Sequence, residues 1–211
     1  MNTIITIGRQ FGSGGREIGK ILATSLNIPF YDKDLITRAA KESGYCKELI
    51  ETHDERPTNS FLYNLVMDTY SFGYTAAGMV DMPISQKVFL AQFDTIRKIA
   101  DEGACVIVGR CADYALSEYK NHLSVFISSN MDVRVNRIMD KYDLTTSKAK
   151  DMIVRRDKQR QSYYNYYSSG KWGYCDTYHL CINSGVLGIE GTAEYLKQYV
   201  MAFDAQNNKE N

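Results

Sequence analysis

The chain has 211 residues, enough for one sizeable core, with ordinary hydrophobic (44%) and charged (24%) content. Its 25 basic residues balance 25 acidic ones, and a formal charge of zero lacks the basic excess of a dedicated duplex-DNA binder. No apolar run approaches membrane-spanning length, so no membrane partner is expected. The five cysteines form no CxxC pair and no metal-like spacing with His53, His122 or His179. No signal peptide is apparent, so reduced thiols and a cytoplasmic location are the expectation, with Cys105 a small core residue.

In chain order, the β-branched run TIITIG at 3–8 reads as a buried strand. A glycine-rich loop follows, and Ile18, Ile21, Leu22 and Leu26 then keep helical spacing until Asn27 and Pro29 end the pattern. IPFY at 28–31 predicts a second strand, with Asp32 or Asp34 capping a helix through Ala40. Residues 45–83 are irregular, giving one or two helices and a mobile connection through GYTAAGMVDMP. A helix from Pro83 to Glu102 carries Ile84, Val88, Phe89, Phe93, Ile96 and Ile99 on one side. CVIVG at 105–109 and LSVFIS at 123–128 predict two further strands. Asn130 can cap a helix bearing Val133, Ile138 and Met139, and Thr145 or Thr146 starts a long helix bearing RRDKQR. HLCINS at 179–184 is a fifth strand, and a final helix spans about 188 to 203 before a polar, frayed tail. Alternating strands and helices predict an α/β domain, a parallel sheet covered on both faces.

The loop GRQFGSGGREIGK at 8–20 lies where ligands of such sheets bind, and its glycines let backbone N–H groups turn toward an anion. A dinucleotide fingerprint would take Gly12 and Gly14 as its first glycines, with Asp32 as its acid, but its third glycine is Glu17. The phosphate-loop pattern GxxxxGK[ST] fits with Gly15 as its last glycine. In that register Gln10 replaces the first glycine, Arg16 the lysine and Glu17 the hydroxyl. A register from Gly14 that restores Lys20 pushes the loop into the helix. A plain glycine turn is the third reading.

Other segments weigh in. YDKDLITR places Asp32 and Arg38 six residues apart, VGRCAD follows the third strand, and Arg134 and Arg137 precede the cationic helix VRRDKQRQ. With YYNYYSSGKWG, these parts resemble nucleoside monophosphate kinases of the cytidylate kinase type, and more closely a cytidylate kinase-like bacterial branch. The likeness covers roughly residues 1–200 and is weakest at 45–83.

The resemblance implies a P-loop NTPase three-layer sandwich, with a five-stranded parallel sheet, helices on both faces and a helical lid. A single domain would span 1–203, with an acceptor-side insert at 45–83, a lid at 143–175 and a frayed tail at 204–211. It implies an ATP- and Mg²⁺-dependent phosphotransferase whose partner is a small nucleotide. The alternatives are a kinase of another small metabolite and a non-catalytic nucleotide-binding regulator. Self-association into a homodimer is compatible with either, and nucleic acid is disfavoured.

Carried over by position, Gly12, Ser13, Gly14, Gly15 and Arg16 would wrap the β- and γ-phosphates, with Lys20 one turn on. Arg38 and Arg110 would bind the acceptor, aided by Asp32 and Asp113. Arg156, Lys158 and Arg160 would close over the transferring group, and Glu17 would hold Mg²⁺. The chain departs from the family pattern at Cys111, which stands where GRD has its aspartate, and at Thr37-Arg38, where the family has Tyr-Arg. Each role has a plainer counterpart: Asp32 as a helix cap, Arg134 and Arg137 as surface or salt-bridge residues, and the tyrosine run as lid packing rather than a base-stacking platform.

Overall fold

The computed structural model describes residues 1–55 and 82–210. Most of the expected insert, including nearly all of GYTAAGMVDMP, lies outside the described residues.

Strands β1 (Ile4–Arg9), β2 (Phe30–Tyr31), β3 (Cys105–Val108), β4 (His122–Ser128) and β5 (Leu180–Asn183) form one parallel sheet in the order β2-β3-β1-β4-β5. β1 is central, with Ile7 beside Val108 of β3 and Arg9 beside Ile127 of β4. The chain leaves β1 toward β2 and β3 and later returns to β4 on the other side. That reversal opens a crevice at the carboxyl ends of β1 and β3, where open α/β sheets bind ligands.

Eight α-helices are described: α1 (Gly15–Leu26), α2 (Lys33–Ser43), α3 (Lys47–His53), α4 (Ile84–Asp101), α5 (Ala112–Ala115), α6 (Met131–Tyr142), α7 (Thr146–Tyr167) and α8 (Ser184–Glu210). Strand alternation divides the core. Ile5, Ile7, Val106 and Val108 face α1 and α8, packing on Ile18, Leu22, Leu196 and Val200. Ile4, Cys105 and Ile107 face the other way, onto Leu35, Ile96 and Ile99 of α2 and α4. Such two-sided burial explains the unbroken apolar runs in the strands. The expected α/β architecture is present.

Two expectations change. The final helix begins at Ser184, turns through a non-helical Gly188 (φ 70°) and reaches Glu210, well beyond 203. Asp204 anchors it, accepting hydrogen bonds from the Asn2 N–H (3.0 Å) and the Thr3 hydroxyl (2.8 Å), so the chain's start holds its end. The tyrosine run packs inward: Tyr163, Tyr164 and Tyr167 are buried, and Tyr167 stacks on Phe89 with ring centres 4.1 Å apart. This is the packing alternative; these three rings offer no exposed platform for bases.

Leu196 is fully buried between α8 and the sheet. Leu196→Ala should cost about 2–5 kcal/mol by cavity formation, read as a lower urea midpoint at unchanged slope.

Candidate functional site

The glycine loop joins β1 to α1. Gly12 and Gly14 both have φ 79°, in the left-handed region that side chains disfavour. A Cβ on Gly12 would meet the Arg134 carbonyl at 3.2 Å, and one on Gly14 would meet Ile189 at 2.9 Å. Gly14, rather than Gly15, is the junction residue, and Gly15 is the first residue of the helix. The expected register therefore shifts by one, because the glycine a loop-to-helix junction requires is the one with positive φ.

The loop is braced from behind. Arg137 donates to the Ser13 carbonyl at 2.9 Å, and the Ser184 hydroxyl donates to the same oxygen at 2.5 Å. Asp157 accepts from the Phe11 N–H (2.7 Å) and from Arg134 (2.5 Å), while Gln10 accepts from the Ser129 N–H (3.1 Å). Gly14 has no capping side chain; the Gly15 N–H makes a long bond to the Ser13 hydroxyl (3.4 Å), and the next first-turn N–H groups of α1 stay available, with the helix dipole behind them.

In front of the loop lies a cleft of about 880 Å³. Of the expected site residues, Gly12, Gly14, Gly15, Arg16 and Glu17 line it from the loop side. Asp32, Arg110 and Arg160 line it from elsewhere. Arg110, buried at the end of β3, forms a bidentate pair with Asp54 (3.0 Å to each oxygen) and approaches Asp32 at 3.5 Å. Asp32 is the N-cap residue of α2 but makes no capping hydrogen bond; instead it accepts from Arg16 Nε at 2.5 Å. Burial pushes its carboxyl up, but the Arg16 hydrogen bond and the Arg110 charge outweigh burial and hold it below the usual range.

Glu55 sits between Arg9 (3.0 Å) and Arg160 (3.5 Å). Burial opposes its ionisation, yet the charges of Arg9, Arg160 and Arg110 hold it well below the ordinary carboxyl value. Arg160 is pulled down to about 10, chiefly by burial and then by Arg9, and stays cationic at neutral pH.

Other expected residues lie elsewhere. Ser13 is buried under the loop and contributes its carbonyl to the brace. Lys20 and Lys158 are exposed and do not line the cleft. Arg156 lines a neighbouring cavity of about 160 Å³ with Phe11 and Arg160. Arg38 is not brought to the cleft: it pairs with Glu42 (2.7 Å) and Glu102 (2.8 Å) across α2 and the end of α4. Asp113 lines a separate cavity of about 520 Å³ and accepts a hydrogen bond from Tyr164. A narrow crevice is lined by Asp113 and Tyr164 together with Arg9, Glu55 and Arg110.

Among the described residues no cluster of three or more His, Cys, Asp or Glu could hold a metal ion. Asp32 is ionised beside Arg16, and Glu17 is exposed with only a loose partner in Lys141 (3.5 Å). One or two such carboxylates suit a Mg²⁺ delivered on phosphate oxygens, not a protein-caged ion. Sequence reasoning missed Arg9, Asp54, Glu55 and Asp157. Arg9 and Asp157 lay within quoted motifs, and Asp54 and Glu55 in a stretch without periodicity.

The sequence matches the model of the cytidylate kinase-like family over residues 4–186. The chain belongs to that family. An uncharacterized protein from Eubacterium ventriosum is 30% identical with a TM-score of 0.68, the match covering 94% of this chain and 98% of that one. Shikimate kinase from Bacteroides thetaiotaomicron is 16% identical with a TM-score of 0.53, covering 95% and 99%, and shows a shared kinase-like fold. No curated protein matches the chain. In this cytidylate kinase-like protein, no helix among the described residues is long and apolar enough to cross a membrane.

Two groups at the second cavity titrate in opposition. Burial pushes Asp113 up to about 6, against the Tyr164 hydrogen bond, while burial and then His179 push His122 down to about 4. A raised acid contributes stability below its unfolded value and loses it as pH rises through the folded one. A depressed histidine contributes stability that is lost as pH falls. Asp113→Asn removes only the first effect. Its unfolding free energy should gain on the wild type by on the order of 2–3 kcal/mol between about pH 4 and pH 7, read by urea unfolding. A pH-independent difference would refute the assignment.

Proposed function

We propose that this cytidylate kinase-like protein transfers the terminal phosphoryl group of ATP, with Mg²⁺, to a small phosphorylated acceptor, a nucleoside monophosphate. The observation that carries the reading is the meeting of a back-braced glycine loop with the inward-turned Arg9, Arg110 and Arg160 in one cleft. Loop amides and a helix N-terminus suit the donor's phosphates. Guanidiniums suit phosphoryl oxygens, which they can engage two at a time.

In the reaction an acceptor phosphate oxygen forms a bond to the γ-phosphorus while the bridging bond to the β-phosphate oxygen breaks, leaving ADP. An ionised acceptor phosphate needs no general base, so the protein's contribution is positioning and charge. The α1 amides would hold the donor, and Arg160, fixed by Glu55 and stacked over the Phe11 ring at 5.6 Å, would meet charge on the transferring group. Arg110, held by Asp54 and Asp32, would meet the acceptor. Asp32 and Glu17 would hold Mg²⁺, which when bound would supply positive charge to the donor's phosphates.

The test is a panel of nucleoside monophosphates assayed with ATP and Mg²⁺. ADP should appear in step with one acceptor's diphosphate, and Arg160→Ala should lower kcat/KM by about 10²–10³-fold. ATP binding without ADP formation from any acceptor would instead make the protein a nucleotide-binding regulator, and absence of ATP binding would refute both readings.

A further inference from the structure

A glycine stands where a phosphate loop carries its lysine. Gly14 is the left-handed junction residue and α1 begins at Gly15. Counted from Gly14, the pattern GxxxxGK[ST] puts its first glycine at Arg9, its lysine at Gly15 and its hydroxyl at Arg16. Relative to the pattern, cation and glycine have exchanged ends of the loop.

The structure shows the exchange as one packing relation. A Cβ on Gly15 would lie 2.7 Å from Arg9 Cβ and 3.3 Å from Arg9 Cγ. The stem of Arg9 fills the room that any side chain at residue 15 would need. Its guanidinium then crosses Gly109, where an added Cβ would sit 1.9 Å from Nη1. Gly109 leaves that path open and has φ 78°. The guanidinium ends at Glu55, 3.0 Å away, at the junction of β1 and β3. Arg9 lines the same cleft as Gly12, Gly14 and Gly15, and its side chain is 12% exposed. Arg16 has its Nε on Asp32 and a side chain that is 57% exposed.

We propose that Arg9 is the cation of this phosphate loop, contacting the β- and γ-phosphate oxygens of a bound nucleoside triphosphate from the end of β1. The inference rests on the ATP reading above. Glu55 already shows the geometry involved, since its two carboxylate oxygens take one guanidinium each, from Arg9 and Arg160. Glu55 takes only Nη1 of Arg9, which leaves the guanidinium's other N–H donors for phosphate oxygens while Glu55 stays in place. The Arg9 side chain is also wedged against Gly15 and Gly109 and held by Glu55, a preorganisation that reduces the ordering cost of binding.

The test is ATP affinity, by calorimetry with Mg²⁺, in Arg9→Ala, Arg9→Lys and the reciprocal double variant Arg9→Gly/Gly15→Lys. The double variant restores the glycine and the lysine of the ordinary pattern, with Arg16 still at its hydroxyl position, and removes the stem that would clash with a lysine at 15. Arg9→Ala should weaken ATP binding by about 10- to 100-fold, the scale of a charge-assisted contact, and Arg9→Lys should weaken it less. The double variant should regain most of the loss. Melting temperatures of the unliganded variants separate folding from binding. Undiminished ATP affinity in Arg9→Ala would overturn the proposal, and so would a folded double variant as weak as Arg9→Ala. Should Arg9→Ala fail to fold, a double variant within about tenfold of wild type supports the proposal and a weaker one overturns it. A wild-type chain that binds no ATP would refute the nucleotide reading itself, a separate failure.

Discussion

Everything in the site depends on where the carbonyls of the glycine loop point. Left-handed Gly12 and Gly14 turn the chain between β1 and α1 and set where its carbonyls and N–H groups point. Arg137 and the Ser184 hydroxyl take the Ser13 carbonyl, and the Asp157–Arg134 pair clamps Phe11. With Phe11, Ser13 and Gly15 N–H groups also engaged, the amides of Gly12, Gly14 and Arg16 are the ones left for an anion. These partners come from α6, α7 and the start of α8, so the loop's orientation is a property of the assembled domain.

The charge arrangement follows from burial. Arginines drawn into a cleft lose hydration and need counter-charges. Asp54 and Asp32 serve Arg110, and Glu55 serves Arg9 and Arg160. Overall neutrality therefore extends to the cleft itself, where six basic side chains face six acidic ones and the buried arginines are already paired. Because Glu55 stays ionised against the penalty of burial, the cluster carries a fixed internal anion.

Helix α7 joins two environments. Its first half docks Ala149 and Ile153 onto α6, and the turns that follow bring Asp157 and Arg160 to the loop. Its last turns bury Tyr163, Tyr164 and Tyr167 in an aromatic cluster with Phe89 and Phe126. The tyrosines that look unusual in the sequence thus secure the helix that carries the site's arginine.

The sequence by itself determined the five strands, the α/β class and the position of the loop, because these rest on local periodicity and on glycine's access to positive φ. Through the family resemblance carried by its motifs, it also pointed to Asp32, Arg110 and Arg160, which line the cleft. It misplaced Arg38, whose spacing from Asp32 fits a motif but whose guanidinium finds Glu42 and Glu102 outside the cleft. It ended the last helix too soon, because the contacts holding Asp204 come from residues about 200 positions away. Only the tertiary structure decided the loop register, the partners of Arg9 and the roles of Asp54, Glu55 and Asp157. Register turns on which glycine is left-handed, and pairing turns on which side chains converge from distant segments. Neither quantity is carried by local sequence spacing.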